Sequence, residues 1–156
     1  MIVKETELFK GISLEALERI ASASEQKEFK ASEVIFTVGD EATGLYVLEE
    51  GKVDVHIPAE GRSGIHFLLS DPGEVFGFMA LADPPVHVST AIALSDTKAL
   101  KVPVEALMRL LATPSADGLI LARNLLRVLA QRLKKAYQLV ASEIITEAEM
   151  KIVSYG

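Results

Sequence analysis

Residues 53–69 read VDVHIPAEGRSGIHFLL. A turn centred on Gly61 pairs residues whose numbers sum to 122. Val53 then meets Leu69, Val55 meets Phe67 and Ile57 meets Ile65, all apolar and all on one face. On the other face Asp54 meets Leu68 and His56 meets His66. A slip of one residue would move the whole apolar set to the opposite face, so this register is self-consistent. The segment is expected to be an antiparallel hairpin with one face on a core.

The same grammar extends to both sides. From about residue 28 to 103, short β-rich runs alternate with turn residues: EVIFTV before Gly39-Asp40, GLYVLEE before Gly51, KVDVHI, IHFLLS before Asp71-Pro72-Gly73, STAIALS and TKALKVP. Evenly spaced short strands with Gly and Pro punctuation predict an antiparallel barrel or jelly roll. Helical spacing frames this region. SLEALERIASASE (13–25) places Leu14, Leu17, Ile20 and Ala21 on one face behind a Ser13 N-cap, with Phe9 and Ile12 ahead as a hydrophobic staple. Pro103 and Pro114 bracket a short helix, PVEALMRLLATP.

A long helix is expected over 118–149. Ala122, Leu126, Leu129, Leu133, Ala136 and Val140 follow alternating four- and three-residue steps, a heptad-like seam. Leu125, Val128 and Tyr137 widen the stripe. Such a helix either packs on its own barrel or pairs with a second copy. Both hold if its first half covers the barrel and its second half pairs.

Composition removes several function classes. The 156 residues suit one domain and contain no cysteine, so disulfides, thiolate metal sites and cysteine nucleophiles are excluded. Absence of cysteine fits a reducing cytoplasm. MIVKETELFK lacks the basic flank and apolar core of a signal peptide. No apolar run approaches the ~18 residues of a membrane span. The net charge of −6 disfavours direct nucleic-acid binding. No P-loop, Gly-x-Gly-x-x-Gly or Ser/His/Asp arrangement is present, and no enzyme is expected. His56 and His66 face each other on the hairpin, but no third metal ligand accompanies them, so they read as a solvated pair and no metal is assigned.

The order of elements resembles the cyclic-nucleotide-binding domain of the catabolite-activator and protein-kinase-A regulatory type. LFKGIS before an amphipathic helix, FKASEVIFTVGDEATGLYVLEEGKVDVHI, DPGEVFG and TAIALSDTKALKVP carry the likeness, which covers about residues 5–140. It implies an antiparallel β-roll (a double-stranded jelly roll) flanked by an N-terminal helix and a long C-terminal helix. Residues 1–117 would form the roll with its first helix, and 118–156 the C-terminal helix and tail of the same unit.

The resemblance also implies a phosphate-binding loop over 77–91, GFMALADPPVHVSTA. The family's loop runs Phe-Gly-Glu-x-Ala-Leu and later Pro-Arg-Ser/Thr-Ala. Phe76, Gly77, Ala80, Leu81 and Thr90 match that pattern. Phe78 stands where the ribose-binding Glu belongs, His87 where the phosphate-binding Arg belongs, and Val88 where a hydroxyl residue often sits. Losing two charge-assisted hydrogen bonds of roughly 1.5–3 kcal/mol each weakens binding about a hundredfold to ten-thousandfold. What remains is the Gly77 turn, the backbone N–H groups of 78–81, and the Ser89 and Thr90 hydroxyls. Phe78, Met79 and Val88 would also suit a more apolar ligand.

The family takes a base contact from its long helix, and Ala136 and Tyr137 fall near that place. Tyr137 is either a ring to stack on a purine or filler between helix and barrel. The transcription factors of the family continue for some 70 residues into a helix-turn-helix, for which a chain ending at Gly156 leaves no room. The expectation is a dimeric sensor module holding cyclic AMP or cyclic GMP weakly. The alternative is a scaffold or protein-interaction regulator with a vestigial pocket and an unknown protein partner.

Overall fold

The computed structural model describes residues 6–155, with side chains over 6–144. Among these residues, eight strands form two antiparallel sheets. They are β1 (Glu25–Phe29), β2 (Val34–Phe36), β3 (Gly44–Glu50), β4 (Val53–Ala59), β5 (Arg62–Leu69), β6 (Val75–Phe76), β7 (Thr90–Ala93) and β8 (Thr97–Pro103). One sheet runs β1-β8-β3-β6 and the other β2-β7-β4-β5. The fold is the expected β-roll with flanking helices: α1 (Leu14–Ala23), α2 (Val104–Ala112) and α3 (Ala116–Tyr155). Short 3-10 helices occupy Glu7–Phe9 and Phe78–Leu81.

The β4–β5 hairpin has the register read from its sequence, from Val53↔Leu69 through His56↔His66 to Ile57↔Ile65. A bulge after Ile57 then shifts the pairing to Ala59↔Arg62. Gly64 sits at this irregularity with φ +80°, where a Cβ would meet the Ile57 carbonyl oxygen at 2.3 Å. Only glycine fits there.

Alternation along β3 divides the interior into two cores. Leu45 and Val47 join the helices, while Tyr46 and Leu48 point between the sheets. The inter-sheet core adds Phe36, Val53, Val55, Phe67, Leu69 and Phe76. The helical core adds Leu8, Phe9, Leu17, Ile20, Leu107, Leu121 and Leu125. Polar clamps hold its parts together. Ser13 accepts from the Ala16 N–H as the N-cap of α1. Its own N–H and Oγ donate to Asp117 at the start of α3, at 2.8 and 2.6 Å. These two bonds hold the Asp117 carboxyl below its ordinary range. Asn124 Nδ2 donates to the carbonyls of Leu8 and Lys10.

Several boundaries differ from the sequence reading: the long helix runs over Ala116–Tyr155, beyond the expected 118–149 at both ends. The first helix stops at Ala23, and Glu25–Phe29 form a strand instead. Its residues EQKEF show no apolar alternation; β1 exists because it pairs with β8. EVIFTV is a strand only over Val34–Phe36, beyond which the chain turns at Gly39-Asp40.

α3 carries two stripes. One faces the roll: Leu121 and Leu125 are buried, Val128 packs on the helical core, and Ala136 and Leu139 pack on the inter-sheet core. The other faces outward and contains Leu126, Leu129, Leu133, Tyr137, Val140 and Ile144, all exposed. Ala136 therefore leaves the expected seam, and Tyr137 stands on the outward stripe in its place. At 3.6 residues per turn, Tyr137, eleven residues beyond Leu126, returns to within about 20° of its direction, whereas Ala136 lies about 80° round towards the roll. The part of the expected helix beyond residue 144 lies outside the described side chains.

Candidate functional site

The loop after β6 begins at Gly77, with φ 81° and ψ 34°. A Cβ there would lie 3.1 Å from Tyr46 Cδ2 and 3.6 Å from Phe36 Cε2. This left-handed residue turns the chain out of β6 and into the 3-10 helix Phe78–Leu81. Phe78 and Ala80 are buried, and Met79 and Leu81 pack against the helical core. Phe78 is thus an aromatic ring embedded in apolar surroundings.

The return limb is pinned to the turn around residue 40. Ala42 N–H donates to the Pro85 carbonyl at 2.8 Å, His87 N–H donates to Asp40 O at 2.9 Å, and Gly39 N–H donates to His87 O at 2.9 Å. These bonds aim the His87 side chain inward. Its ring stacks on Phe36 with centroids 3.7 Å apart and planes at 6°. Phe36 in turn leans on Tyr46 and Phe76. The structure thus brings Gly77 and His87, ten residues apart in sequence, against one phenyl ring, that of Phe36.

His87 is 3% exposed, and its Nδ1 is buried with no hydrogen-bond partner among the described residues. Burial pushes its pKa below the ordinary 6.5; Asp40 raises it and Lys101 lowers it further. The imidazole is therefore neutral at pH 7. It offers a hydrogen bond but no charge. Ser89 is buried beside it in sequence, while Val88 is exposed and points away. Thr90 Oγ1 accepts from the Val38 N–H at 3.2 Å and keeps its own hydrogen to donate.

Tyr137 is 67% exposed and faces away from the roll of its own chain. The residue that reaches in from α3 is Arg132, which the sequence reading passed over. Its guanidinium carbon lies 5.2 Å from the ring centres of both Phe67 and Phe78, and Nη2 donates to the Val75 carbonyl at 2.7 Å. Burial lowers its pKa and the field of Glu74 raises it, but an arginine keeps its charge. A signal was present in the sequence: Leu121, Leu125, Val128, Arg132, Ala136 and Leu139 follow four- and three-residue steps, so a cation interrupts the inward stripe.

His56 and His66 stack at 4.2 Å on the hairpin's outer face. His66 Nδ1–H donates to Asp54 at 2.9 Å, and His56 Nε2–H donates to the Ser63 carbonyl at 2.9 Å. Both histidines are thereby occupied, and no group of three or more metal-ligating side chains occurs among the described residues. No described helix is long and apolar enough to cross a membrane.

Residues 26–114, more than half of the chain, match the family described as "Cyclic nucleotide-binding domain". The chain is 30% identical over 134 residues to the cyclic AMP receptor protein of Thermus thermophilus, covering 86% of this chain and 60% of that protein. It is 25% identical over 152 residues to a CRP-like cAMP-activated global transcriptional regulator of Mycobacterium tuberculosis, covering 97% of this chain and 66% of the relative. The solved catabolite activator protein of Thermus thermophilus superposes with a TM-score of 0.70 at 28% identity, over 96% of this chain and 64% of that one. The chain spans about two thirds of the length of these relatives. The matched residues span both sheets of the roll and the loop after β6, and the chain belongs to the cyclic nucleotide-binding domain family.

Proposed function

We propose that this chain is a cyclic nucleotide-responsive regulatory module that holds its ligand weakly. The observation that carries the reading is His87: a polar side chain buried on the Phe36 ring that the Gly77 turn also approaches, with one nitrogen unpartnered among the described residues. A buried unpaired acceptor or donor costs about 1–3 kcal/mol, and a ligand that satisfies it recovers that cost. Gly77, the backbone of 78–81, His87, Ser89 and Thr90 are the ligand-facing set in this reading. The affinity is low because Phe78 has no acceptor for a ribose hydroxyl and His87 has no charge for a phosphate.

Transmission would run through α3, whose inward stripe rests on the roll and whose outward stripe has no cover in a single chain. Leu126, Leu129, Leu133 and Val140 on that stripe fit a homodimer paired along α3. The module is a binding protein in this reading, not an enzyme, and acts in the cytoplasm. Its net charge of −6 argues against direct contact of this part with nucleic acid.

Phe78 favours a second reading. It is packed into the helical core beneath Arg132, as a residue of a closed, structural loop would be. The roll would then be a dimeric scaffold that acts through a protein partner. Calorimetry with cyclic AMP and cyclic GMP at millimolar concentration separates the two. Saturable heat supports the regulatory module; absence of heat at that level sinks it. Phe78→Glu with His87→Arg should raise affinity by about a hundredfold or more if the loop keeps the family's shape.

A further inference from the structure

The chain carries one short sequence twice. Glu-Ala-Leu-Glu-Arg-Ile (15–20) lies in α1 and Glu-Ala-Leu-Met-Arg-Leu (105–110) in α2, with four identical residues in the same order. The leucine of each copy, Leu17 and Leu107, is buried in the helical core. Ala16, Arg19 and Ile20 of α1 and Ala106, Arg109 and Leu110 of α2 line one groove, so both walls present the same three positions of the repeat. Its volume is about 200 Å³.

Each arginine follows a glutamate by four residues, Glu15 before Arg19 and Glu105 before Arg109, a spacing that favours an ion pair along a helix. Neither pair closes. No carboxylate stands within ion-pair distance of Arg19 or Arg109 among the described residues, and both arginines are exposed. Glu15, Glu18 and Glu105 do not line the groove. Asp117 does, but its carboxyl accepts from the Ser13 N–H and Oγ at 2.8 and 2.6 Å and lies in the field of Arg19. The groove therefore holds two cations and one anion already engaged, in a chain whose net charge is −6.

The geometry points to this groove as a docking site for an acidic peptide segment of a partner protein. Carboxylates of the segment pair with Arg19 and Arg109, and an aliphatic side chain enters between the two alanines, Ile20 and Leu110. Charge and size select that occupant. A guanidinium takes a carboxylate through two parallel N–H donors. The volume is below the roughly 300–1,000 Å³ of small-molecule sites, which leaves room for a side chain and not for a nucleotide. No residue of the 77–90 loop lines the groove, so the inference stands whether or not the roll binds a cyclic nucleotide. Because Asp117 belongs to the first turn of α3, the docked segment also touches the helix that rests on the roll.

The test selects phage-displayed random linear peptides on the full chain. Enriched peptides should combine Asp or Glu with an aliphatic residue; no enrichment, or enrichment without acidic bias, overturns the inference. One enriched peptide is then compared with its neutral analogue, in which amides replace the acids, by fluorescence anisotropy. Wild type should prefer the acidic form by about tenfold, the scale of two exposed ion pairs. Arg19→Gln and Arg109→Gln together should bring the two forms to within about twofold, each alone should lose about threefold, and the exposed-charge control Lys134→Gln should change neither. Ala23→Leu narrows the groove at an exposed position and should weaken both forms. Unchanged affinity in that variant would mean that diffuse charge attracts the peptide, and an intact preference in the double arginine variant would place the contact elsewhere; either result overturns the inference. So does a double variant that sediments as a monomer where wild type is a dimer, since the groove would then hold a second copy of this chain. Circular dichroism of each variant separates loss of fold from loss of docking.

Discussion

His87 and Arg132 are built in opposite ways, although both rest on phenyl rings. The imidazole lies flat on Phe36, 3.7 Å away, buried inside the roll with 3% of its surface exposed. The guanidinium lies over Phe67 and Phe78 at 5.2 Å, at an edge where its other donors reach a cleft. A titratable ring in the first environment sheds its proton, since burial of a charge costs far more than a stack returns. A guanidinium in the second keeps its charge, because ring quadrupoles and one carbonyl favour it and water is near. Two cation-capable side chains on aromatic surfaces thus end in different charge states, the loop's imidazole neutral and the helix's guanidinium charged.

The comparison breaks most sharply at Phe36. Phe36→Ala removes the ring that holds His87 and touches Tyr46 and Phe76, and should cost about 3–5 kcal/mol in denaturant unfolding. A cost under about 1 kcal/mol would mean that the aromatic ladder does not hold the imidazole in place. Arg132→Met keeps an apolar stem and deletes the cation. The loss of two ring contacts and one hydrogen bond should lower stability by about 1–3 kcal/mol. Unchanged stability would show that desolvation of the guanidinium already cancels those contacts.

The next effect is one of pH, and only His87 should show it. The native imidazole has a lower pKa than the unfolded one, so below the ordinary value of 6.5 the unfolded chain binds more protons. Stability should be at its full level above that pH and fall as pH drops from it towards the native pKa. Denaturation curves from pH 8 to 5 for wild type and His87→Gln should diverge on the acid side; parallel curves refute the buried neutral imidazole. Arg132 adds no slope in this window, since it remains charged throughout. The smallest expected change in chain stability is at the outward stripe. Leu133 is 51% exposed, and Leu133→Lys should alter unfolding by no more than about 0.5 kcal/mol. The same variant should sediment as a monomer where wild type sediments as a dimer. A dimer that survives it puts the interface elsewhere.

Much of the architecture could be read before any coordinates. The β4–β5 register was legible because period-2 alternation and a glycine turn jointly allow one pairing. The Gly77 turn and the return through residue 87 were legible through likeness to a family. β1 was not, because EQKEF carries no pattern of its own and becomes a strand only against β8. Ala136 and Tyr137 were exchanged because a heptad count ignores the drift of a real helix, and Arg132 was passed over because a cation inside an apolar stripe looks like an interruption.

Local rules therefore determined the roll and its helices, since alternation, caps and glycine positions act between near neighbours along the chain. The tertiary structure alone decided that His87 is buried and neutral and that Arg132 is the cation at the junction of sheet, loop and helix. Charge state and partnership depend on what lies within a few ångströms in space, and the residues that set them here come from points as far apart as Phe36 and Arg132.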